Sequence, residues 1–399
     1  MSAGQDAIPL GKTHPYPNTS SLRHAMTQPL YEFTTQAPAK LNLTLYIAVP
    51  QVGASFHPIS SFMVKLPWLS DTLTLKVYPS DALSTPRLGQ QGTPLGCHSL
   101  TLEGSEVSET LQTALTNNLV TRAIEVFTAR DPLPTHFHYA WQLTKSIPSE
   151  AGLGGGSSDA AAALLLLNQL RKVLTQAYPF TAKRLCQLFA DAVGSDVGFF
   201  LYASSLALAT GRGNTLQPYH ERLRVSSDIQ VLIFRPKHMK VSTPWAYQQF
   251  RDTQKYYQRL PEWDFSDRYR LDWSWIKTHA YNSFQTMLMG EAPETHWFSS
   301  TLLEAFYPLE GLPLLCGSGA CWAWLSPETL PTLQQTIATH EALLAQHFDT
   351  VWFPTGERYT LGTYALEQPI HYPEKTDPWW PTKSMTTALS PYLTTENDD

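Results

Sequence analysis

The chain has 399 residues, of which 43% are hydrophobic and 12% aromatic, so it can bury a sizeable core. Only 16% of the residues are charged and the formal net charge is −6, which excludes disorder of the whole chain and the basic surface typical of proteins that bind duplex nucleic acid. No apolar run reaches the roughly 18 residues of a membrane span. We therefore expect a globular protein, a monomer or a homodimer, with a small-molecule partner and neither nucleic acid nor membrane.

The four cysteines are too few and too scattered for a disulfide framework, and no two of them form a CxxC pair. Cys316 and Cys321 flank "GSGA", but no set of His or Cys partners for a metal lies near them. The N-terminus also lacks the apolar segment of a secretion signal. These features predict reduced thiols and a cytoplasmic protein.

In chain order, residues 1–30 are polar and rich in proline, which predicts a mobile N-terminal extension. Met26 lies within this extension, and whether translation starts there or at Met1 is left open. The stretch "YEFTTQAPAKLNLTLYIAV" alternates in hydrophobicity from Leu41 to Ile47, which predicts a strand with Lys40 at its head. Next, "ETLQTALTNNLVTRAIEVFTAR" has helical periodicity and "HFHYAWQLTK" alternates as a half-buried strand.

The segment "SIPSEAGLGGGSSDAAAALLLLNQL" (146–170) is rich in glycine and lies between a strand ending near Lys145 and a helix from about Ser157. Backbone N–H groups in such a turn form a concave site for an anion, with the positive end of the helix dipole behind it. A glycine-rich connection packed closely on a sheet is the structural alternative. Neither GxxxxGK[ST] nor GxGxxG is present, so the Walker and dinucleotide loops are excluded.

The pattern PxxAGLGGGSSDAA in this segment resembles the second motif of the GHMP kinases, a family of small-molecule kinases. Six further stretches follow that family's order, and the resemblance covers about residues 31–330: "APAKLNLTL", "NLVTRA", "GSDVGFF", "ATGRGNTLQP", "VSTPWAY" and "LCGSGACWAW". The form "GLGGGSSDA" is most similar to the branch that phosphorylates the 2-hydroxyl of 4-diphosphocytidyl-2-C-methyl-D-erythritol in the non-mevalonate isoprenoid route. The resemblance implies ATP and Mg²⁺ as cofactors, with the Mg²⁺ ligands unidentified.

The resemblance also implies the residues of the site. Asp196 takes the place of the catalytic base and Lys40 of the residue that stabilises charge beside it, as their chemistry allows. ATP binding is expected at Asn118, Lys145, Pro148, Gly152, Leu153, Gly154, Gly155, Gly156, Ser157 and Ser158. Substrate binding is expected at Asn42, Phe56, His57, Asp196, Thr243, Tyr247, Gly317, Ser318 and Gly319.

Several of these residues have structural alternatives. Lys40 can be a solvated lysine at a strand end, and Asp196 can cap a helix or close a turn. Asn118 can be only a helix N-cap. His57 can simply end a turn. Where the family has "DGYH", this chain has "ASFH", so the cytosine contact rests on Phe56 and His57 alone.

The implied fold is α+β with two domains. Residues 31–218 form an ATP-binding domain of the ribosomal-protein-S5-like type and residues 219–355 a ferredoxin-like domain, with the site between them. The remaining residues, 356–399, form a C-terminal tail without an assigned role. Two other functions stay open: another GHMP kinase, acting on homoserine or a mevalonate derivative, and a non-catalytic nucleotide-binding relative.

Overall fold

The computed structural model describes residues 28–54, 56–79, 97–107, 118–219, 223–239, 241–265, 270–292 and 295–361. Most of the predicted N-terminal extension, with both candidate start positions, lies outside the described residues, and so does the tail from residue 362 onward. Within the described part of the chain, no helix has both the length and the apolar character needed to cross a membrane.

An eight-stranded mixed sheet forms the first half of the molecule. Its strands are β1 (Tyr31–Asn42), β2 (Thr44–Ile47), β3 (Ile59–Pro79), β4 (His98–Glu103), β5 (Phe137–Thr144), β6 (Leu206–Gly211), β7 (Thr215–Tyr219) and the short β11 (Tyr281–Asn282). Strand β3 has 21 residues and pairs with β1, β2, β5 and β6, so it is the centre of the sheet. The register between β1 and β3 shifts between Pro38 and Ala39, just before Lys40.

Two helices cover this sheet, α1 (Leu119–Arg130) and α2 (Gly155–Thr175). Helix α2 buries an alanine- and leucine-rich run from Ser158 to Leu164, because the helix is apolar over most of its circumference and packs on the sheet and on α1. Short helical segments follow: α3 (Ala182–Leu185), a π-helical turn (Cys186–Ala190), α4 (Asp191–Val193) and α5 (Val197–Leu201).

The second half contains a five-stranded antiparallel sheet in the order β12-β13-β9-β14-β15. Its strands are β9 (Gln230–Pro236), β12 (Leu312–Leu315), β13 (Trp322–Ser326), β14 (Phe348–Trp352) and β15 (Arg358–Thr360), with a small separate pair, β8 (Arg224–Val225) and β10 (Arg270–Leu271). Its helices are α6 (Thr243–Thr253), α7 (Trp273–His279), α8 (Ser283–Glu291), α9 (Thr295–Phe306), α10 (Leu330–Thr339) and α11 (Glu341–His347).

The buried apolar side chains of the described residues form three clusters, two of which join the two halves. One of these contains Leu41 and Leu43 from the first sheet, Ile233 from the second, and Leu153 of the glycine-rich segment. The end of β1 and the glycine-rich segment therefore lie at the junction of the halves. The predicted α+β architecture is confirmed.

The local predictions differ from the structure in two places. Lys40 is not at the head of a strand but near the carboxyl end of β1, because the alternating stretch divides at Leu43 into β1 and β2. Helix α2 begins at Gly155, two residues before the predicted start. The boundaries of the two predicted domains remain a prediction; β7 ends at Tyr219, and β15 lies beyond residue 355.

Candidate active site

The glycine-rich segment turns sharply into α2 at Gly154. Gly154 is the N-cap of α2, adopts the left-handed conformation (φ 70°, ψ 17°) and has no side chain with which to cap the helix. The first N–H groups of a helix have no partner within the helix, so those of α2 remain available to a ligand. Together with the helix dipole they favour an anion at this end of α2.

A second glycine turn, from Cys316 to Ala320, packs directly on this segment. The backbone N–H of Ala320 donates to the Glu150 carbonyl at 3.0 Å. On the other side of the glycine-rich segment, the backbone N–H of Lys40 donates to the Leu153 carbonyl at 2.9 Å. A Cβ atom added to Gly152 would lie 1.6 Å from the Cys316 carbonyl oxygen. Only glycine at position 152 therefore allows these two backbones to approach so closely.

The Lys40 ammonium lies beneath this turn and is only 4% exposed. Its Nζ atom donates to Asn42 Oδ1 at 2.5 Å and to the Gly152 carbonyl at 2.9 Å, and it lies 3.8 Å from Asp196 Oδ2. Burial lowers the pKa of Lys40, and the negative charge of Asp196 opposes that effect. The interpretation of Lys40 as a solvated strand-end lysine is wrong, because the side chain is buried.

Asp196 precedes α5, but its side chain accepts no capping hydrogen bond from that helix. The side chain is 33% exposed and faces Lys40, so the carboxylate can meet a substrate hydroxyl. A Cβ atom added to Gly213 would lie 3.9 Å from Asp196 Oδ1, and one added to Gly194 would lie 3.8 Å from the Ser157 hydroxyl. The predicted catalytic pair, the helix start and the turn at 211–214 are thus brought together.

Lys145 was predicted to contact phosphate, and its ammonium lies behind the glycine-rich segment in a buried ion cluster. Its Nζ atom pairs with Asp71 Oδ2 and, at 2.7 Å, with Asp159 Oδ2. Asp71 Oδ1 also accepts the N–H groups of Ser146 and Ile147 at 2.6 and 2.8 Å. This cluster fixes the start of the segment to β3 and to the first turn of α2. A direct contact of Lys145 with phosphate remains a prediction.

Two other predicted ATP contacts also have structural roles. Asn118 is the N-cap of α1 and accepts the Val120 N–H at 2.8 Å, as in its structural alternative. Ser158 is 1% exposed, and its hydroxyl has no hydrogen-bond partner among the described residues. Pro148, Gly155 and Gly156 lie in the glycine-rich segment or the first turn of α2.

The predicted substrate residues form a second group around His57. The imidazole stacks on Tyr247 and on Tyr257, with ring centroids 5.5 Å apart in each pair, and its Nε2 lies 2.9 Å from the Tyr257 hydroxyl. Burial lowers the pKa of His57, and the positive charge of Arg251 lowers it further. His57 therefore has tertiary partners and does more than end a turn.

Other predicted substrate residues connect this group to the glycine turns. Thr243 Oγ1 lies 2.8 Å from Ser318 Oγ, which joins the start of α6 to the turn containing Gly317 and Gly319. Asn42 donates from Nδ2 to Ser61 Oγ at 2.7 Å while its Oδ1 accepts from Lys40. Phe56 is 45% exposed.

An open cleft of about 450 Å³ is bordered by the group around His57 and by Ser195, the residue before Asp196. Its lining is Phe56, His57, Arg122, Asp191, Val193, Gly194, Ser195, Arg212, Tyr247 and Arg251. The three arginines, Asp191 and the nearby Tyr257 were not expected from the sequence. Arg251 follows Tyr247 by one helical turn, a spacing that could have indicated it. Arg122 and Arg212 lie within the motifs "NLVTRA" and "ATGRGNTLQP", but no role was assigned to either arginine from them.

Comparison with known proteins agrees with this geometry. The model of the GHMP kinase N-terminal domain matches residues 118–204. The 4-diphosphocytidyl-2-C-methyl-D-erythritol kinase of Lawsonia intracellularis is 31% identical over 289 residues, which cover 68% of this chain and 82% of that protein. The protein of the same name from Synechococcus sp. (strain JA-3-3Ab) is 46% identical over 110 residues, 28% of this chain and 32% of its own length.

Solved structures show the same fold. A crystal structure of 4-(cytidine 5'-diphospho)-2C-methyl-D-erythritol kinase has a TM-score of 0.54 at 24% identity, covering 80% of this chain and 98% of its own. A crystal structure of L. major mevalonate kinase in complex with R-mevalonate has a TM-score of 0.51 at 9% identity, covering 85% of this chain and 100% of its own. The chain therefore belongs to the GHMP kinase family and, within it, to the 4-diphosphocytidyl-2-C-methyl-D-erythritol kinases.

Proposed function

We propose that this chain transfers the γ-phosphoryl group of ATP to the 2-hydroxyl of 4-diphosphocytidyl-2-C-methyl-D-erythritol. The observation that carries the proposal is the pair formed by Lys40 and Asp196 beside the start of α2. A protein that only binds nucleotide does not require a carboxylate and a buried ammonium 3.8 Å apart at this position. The group around His57 supports a cytidylyl substrate, since aromatic rings and a hydrogen-bonding imidazole suit a base.

Phosphoryl transfer depends mainly on positioning and on stabilisation of charge. The N–H groups at the start of α2 hold the phosphates of ATP. Asp196 accepts the proton of the 2-hydroxyl as its oxygen bonds to the γ-phosphorus and the bond to the β-phosphate oxygen breaks. Lys40 stabilises the negative charge on the attacking oxygen and the γ-phosphate, and its burial strengthens this interaction.

Magnesium is expected with ATP, and we propose that it meets the chain near Ser158. No cluster of three or more His, Cys, Asp or Glu side chains suited to a metal occurs among the described residues. Mg²⁺ keeps several waters and binds mostly to phosphate oxygens, so it needs few ligands from the protein. The unpartnered Ser158 hydroxyl is the oxygen that would hold it. When bound, the ion neutralises charge on the phosphates.

Release of ADP with a panel of alcohols tests this proposal. The purified chain is supplied with ATP, Mg²⁺ and either 4-diphosphocytidyl-2-C-methyl-D-erythritol, homoserine or mevalonate, and ADP is measured by a coupled assay. We expect turnover with the cytidylyl alcohol only. Turnover with homoserine or mevalonate alone would show that the proposed substrate is wrong. ATP binding without any turnover would show that the chain is a non-catalytic relative.

A further inference from the structure

The cleft carries an excess of positive charge that the proposed catalytic pair does not use. Arg122, Arg212 and Arg251 line it, and Asp191 is the acidic side chain of the same lining. The whole chain has a formal net charge of −6. A local excess of arginine in a negatively charged protein indicates a site for an anion.

Arg251 lies near the aromatic group of His57 and Tyr247 in this cleft. It is on α6, four residues after Tyr247, so both side chains are on one face of the helix. It lines the cleft together with His57 and Tyr247, and its positive charge contributes to the lowered pKa of His57. Among the described residues its guanidinium forms no ion pair with a carboxylate, and the neighbouring Asp252 accepts from Gln248.

Arg212 lines the cleft next to the catalytic pair. It precedes Gly213 in the chain, and a Cβ atom added to Gly213 would lie 3.9 Å from Asp196 Oδ1. Asp191 holds the guanidinium of Arg212 at 3.5 Å, and Asn214 donates to both oxygens of Asp191 at 3.1 and 3.2 Å. The Arg212 side chain is therefore oriented but still 44% exposed.

The cleft connects the two parts of the chain that are assigned to the ends of the acceptor. Ser195, next to Asp196 in the chain, lines it together with His57 and Tyr247 of the aromatic group. In the acceptor, the diphosphate lies between the alcohol and the cytidine. We propose that Arg251 and Arg212, which line this cleft, bind this diphosphate and thereby select a nucleoside-diphosphate-linked alcohol. This inference rests on the proposed function.

Arginine suits this task because its planar guanidinium donates two parallel hydrogen bonds to phosphate oxygens. Homoserine and mevalonate have no diphosphate, so the two arginines add nothing to their binding. The pair therefore determines specificity and does not take part in the chemical step.

Calorimetric titration with cytidine, CMP and CDP tests the inference without catalysis. For Arg251→Gln we expect CDP affinity to fall about tenfold, the loss of one charge-assisted contact, while cytidine affinity changes less than twofold. Arg212→Gln should give the same pattern. Arg251→Lys should restore part of the CDP affinity. Arg259→Gln is the matched control, since Arg259 is exposed and does not line the cleft.

Steady-state kinetics provides the second readout. Arg251→Gln should raise KM for the cytidylyl alcohol about tenfold while kcat and KM for ATP stay within twofold. Equal loss of affinity for cytidine and CDP would overturn the inference and indicate a structural role, and so would unchanged CDP affinity in both variants. If the wild-type chain neither binds CDP nor turns over the cytidylyl alcohol, the proposed function itself fails.

Discussion

Replacement of Asp196 by asparagine keeps the shape of the side chain but removes its charge and its capacity to accept a proton. Asp196 lies 3.8 Å from Lys40, a distance at which two unit charges attract by about 4 kcal/mol at an effective dielectric constant of 20. Solvent reduces this value because the Asp196 side chain is 33% exposed. We therefore expect a change of only about 1 kcal/mol in the free energy of unfolding.

The effect on the rate should be much larger. A positioned general base contributes about 10²–10⁴-fold, or roughly 3–5 kcal/mol of the activation barrier. We expect kcat of Asp196→Asn to fall by that factor, measured as ADP release at saturating ATP and acceptor. Urea unfolding and ATP affinity should stay close to the wild-type values, because neither depends on proton transfer.

The contrast between rate and stability is the critical result. Asp252→Asn is the matched control, since Asp252 is an exposed carboxylate on α6 that pairs with Gln248, and its kcat should stay within twofold of wild type. A kcat within tenfold of wild type for Asp196→Asn would refute its role as the base. A collapse of stability would show that the residue acts mainly in folding.

Three further predictions concern the glycine turn and the buried charged and titratable groups. Gly152→Ala should abolish turnover and lower the free energy of unfolding by at least about 3 kcal/mol, because the new Cβ would overlap the Cys316 carbonyl. Gly53→Ala also has positive φ but open space around it, so urea unfolding should show a loss of only about 1 kcal/mol; equal losses would contradict this reasoning. Asp71→Asn should lower the free energy of unfolding by about 3–5 kcal/mol in the same assay, because Asp71 is fully buried with Lys145 and two backbone N–H groups. A loss below about 1 kcal/mol would disprove the importance of this ion cluster. Burial lowers the pKa of His98 to about 4 in the folded chain. Between about pH 4 and 6.5 the unfolded chain therefore binds more protons than the folded chain. The free energy of unfolding should fall by up to about 3 kcal/mol as the pH drops through that window. His98→Gln should remove this slope in unfolding titrations, and an unchanged slope would assign it to another group.

Much of the fold could be predicted from local patterns. The alternation in "HFHYAWQLTK" corresponds to β5, and the apolar run after the glycines corresponds to α2, because periods of two and of 3.6 residues are set by strand and helix geometry. The start of α2 differed by two residues, since glycine gives little information about where a helix begins. The division of the first strand at Leu43 was missed because both parts bury their leucines.

By itself, the sequence determined the family, the order of the motifs and the types of residue able to transfer phosphate, because motif chemistry depends on side chains and short spacing. Only the tertiary structure decided which charged side chains are available to a substrate. Lys40 and Lys145 are both buried lysines beside the glycine-rich segment, yet one faces the partly exposed Asp196 and the other is paired with two buried carboxylates. It also decided that Arg212 and Arg251 line the same cleft, 39 positions apart in the chain, because long-range packing and not local pattern sets which side chains meet.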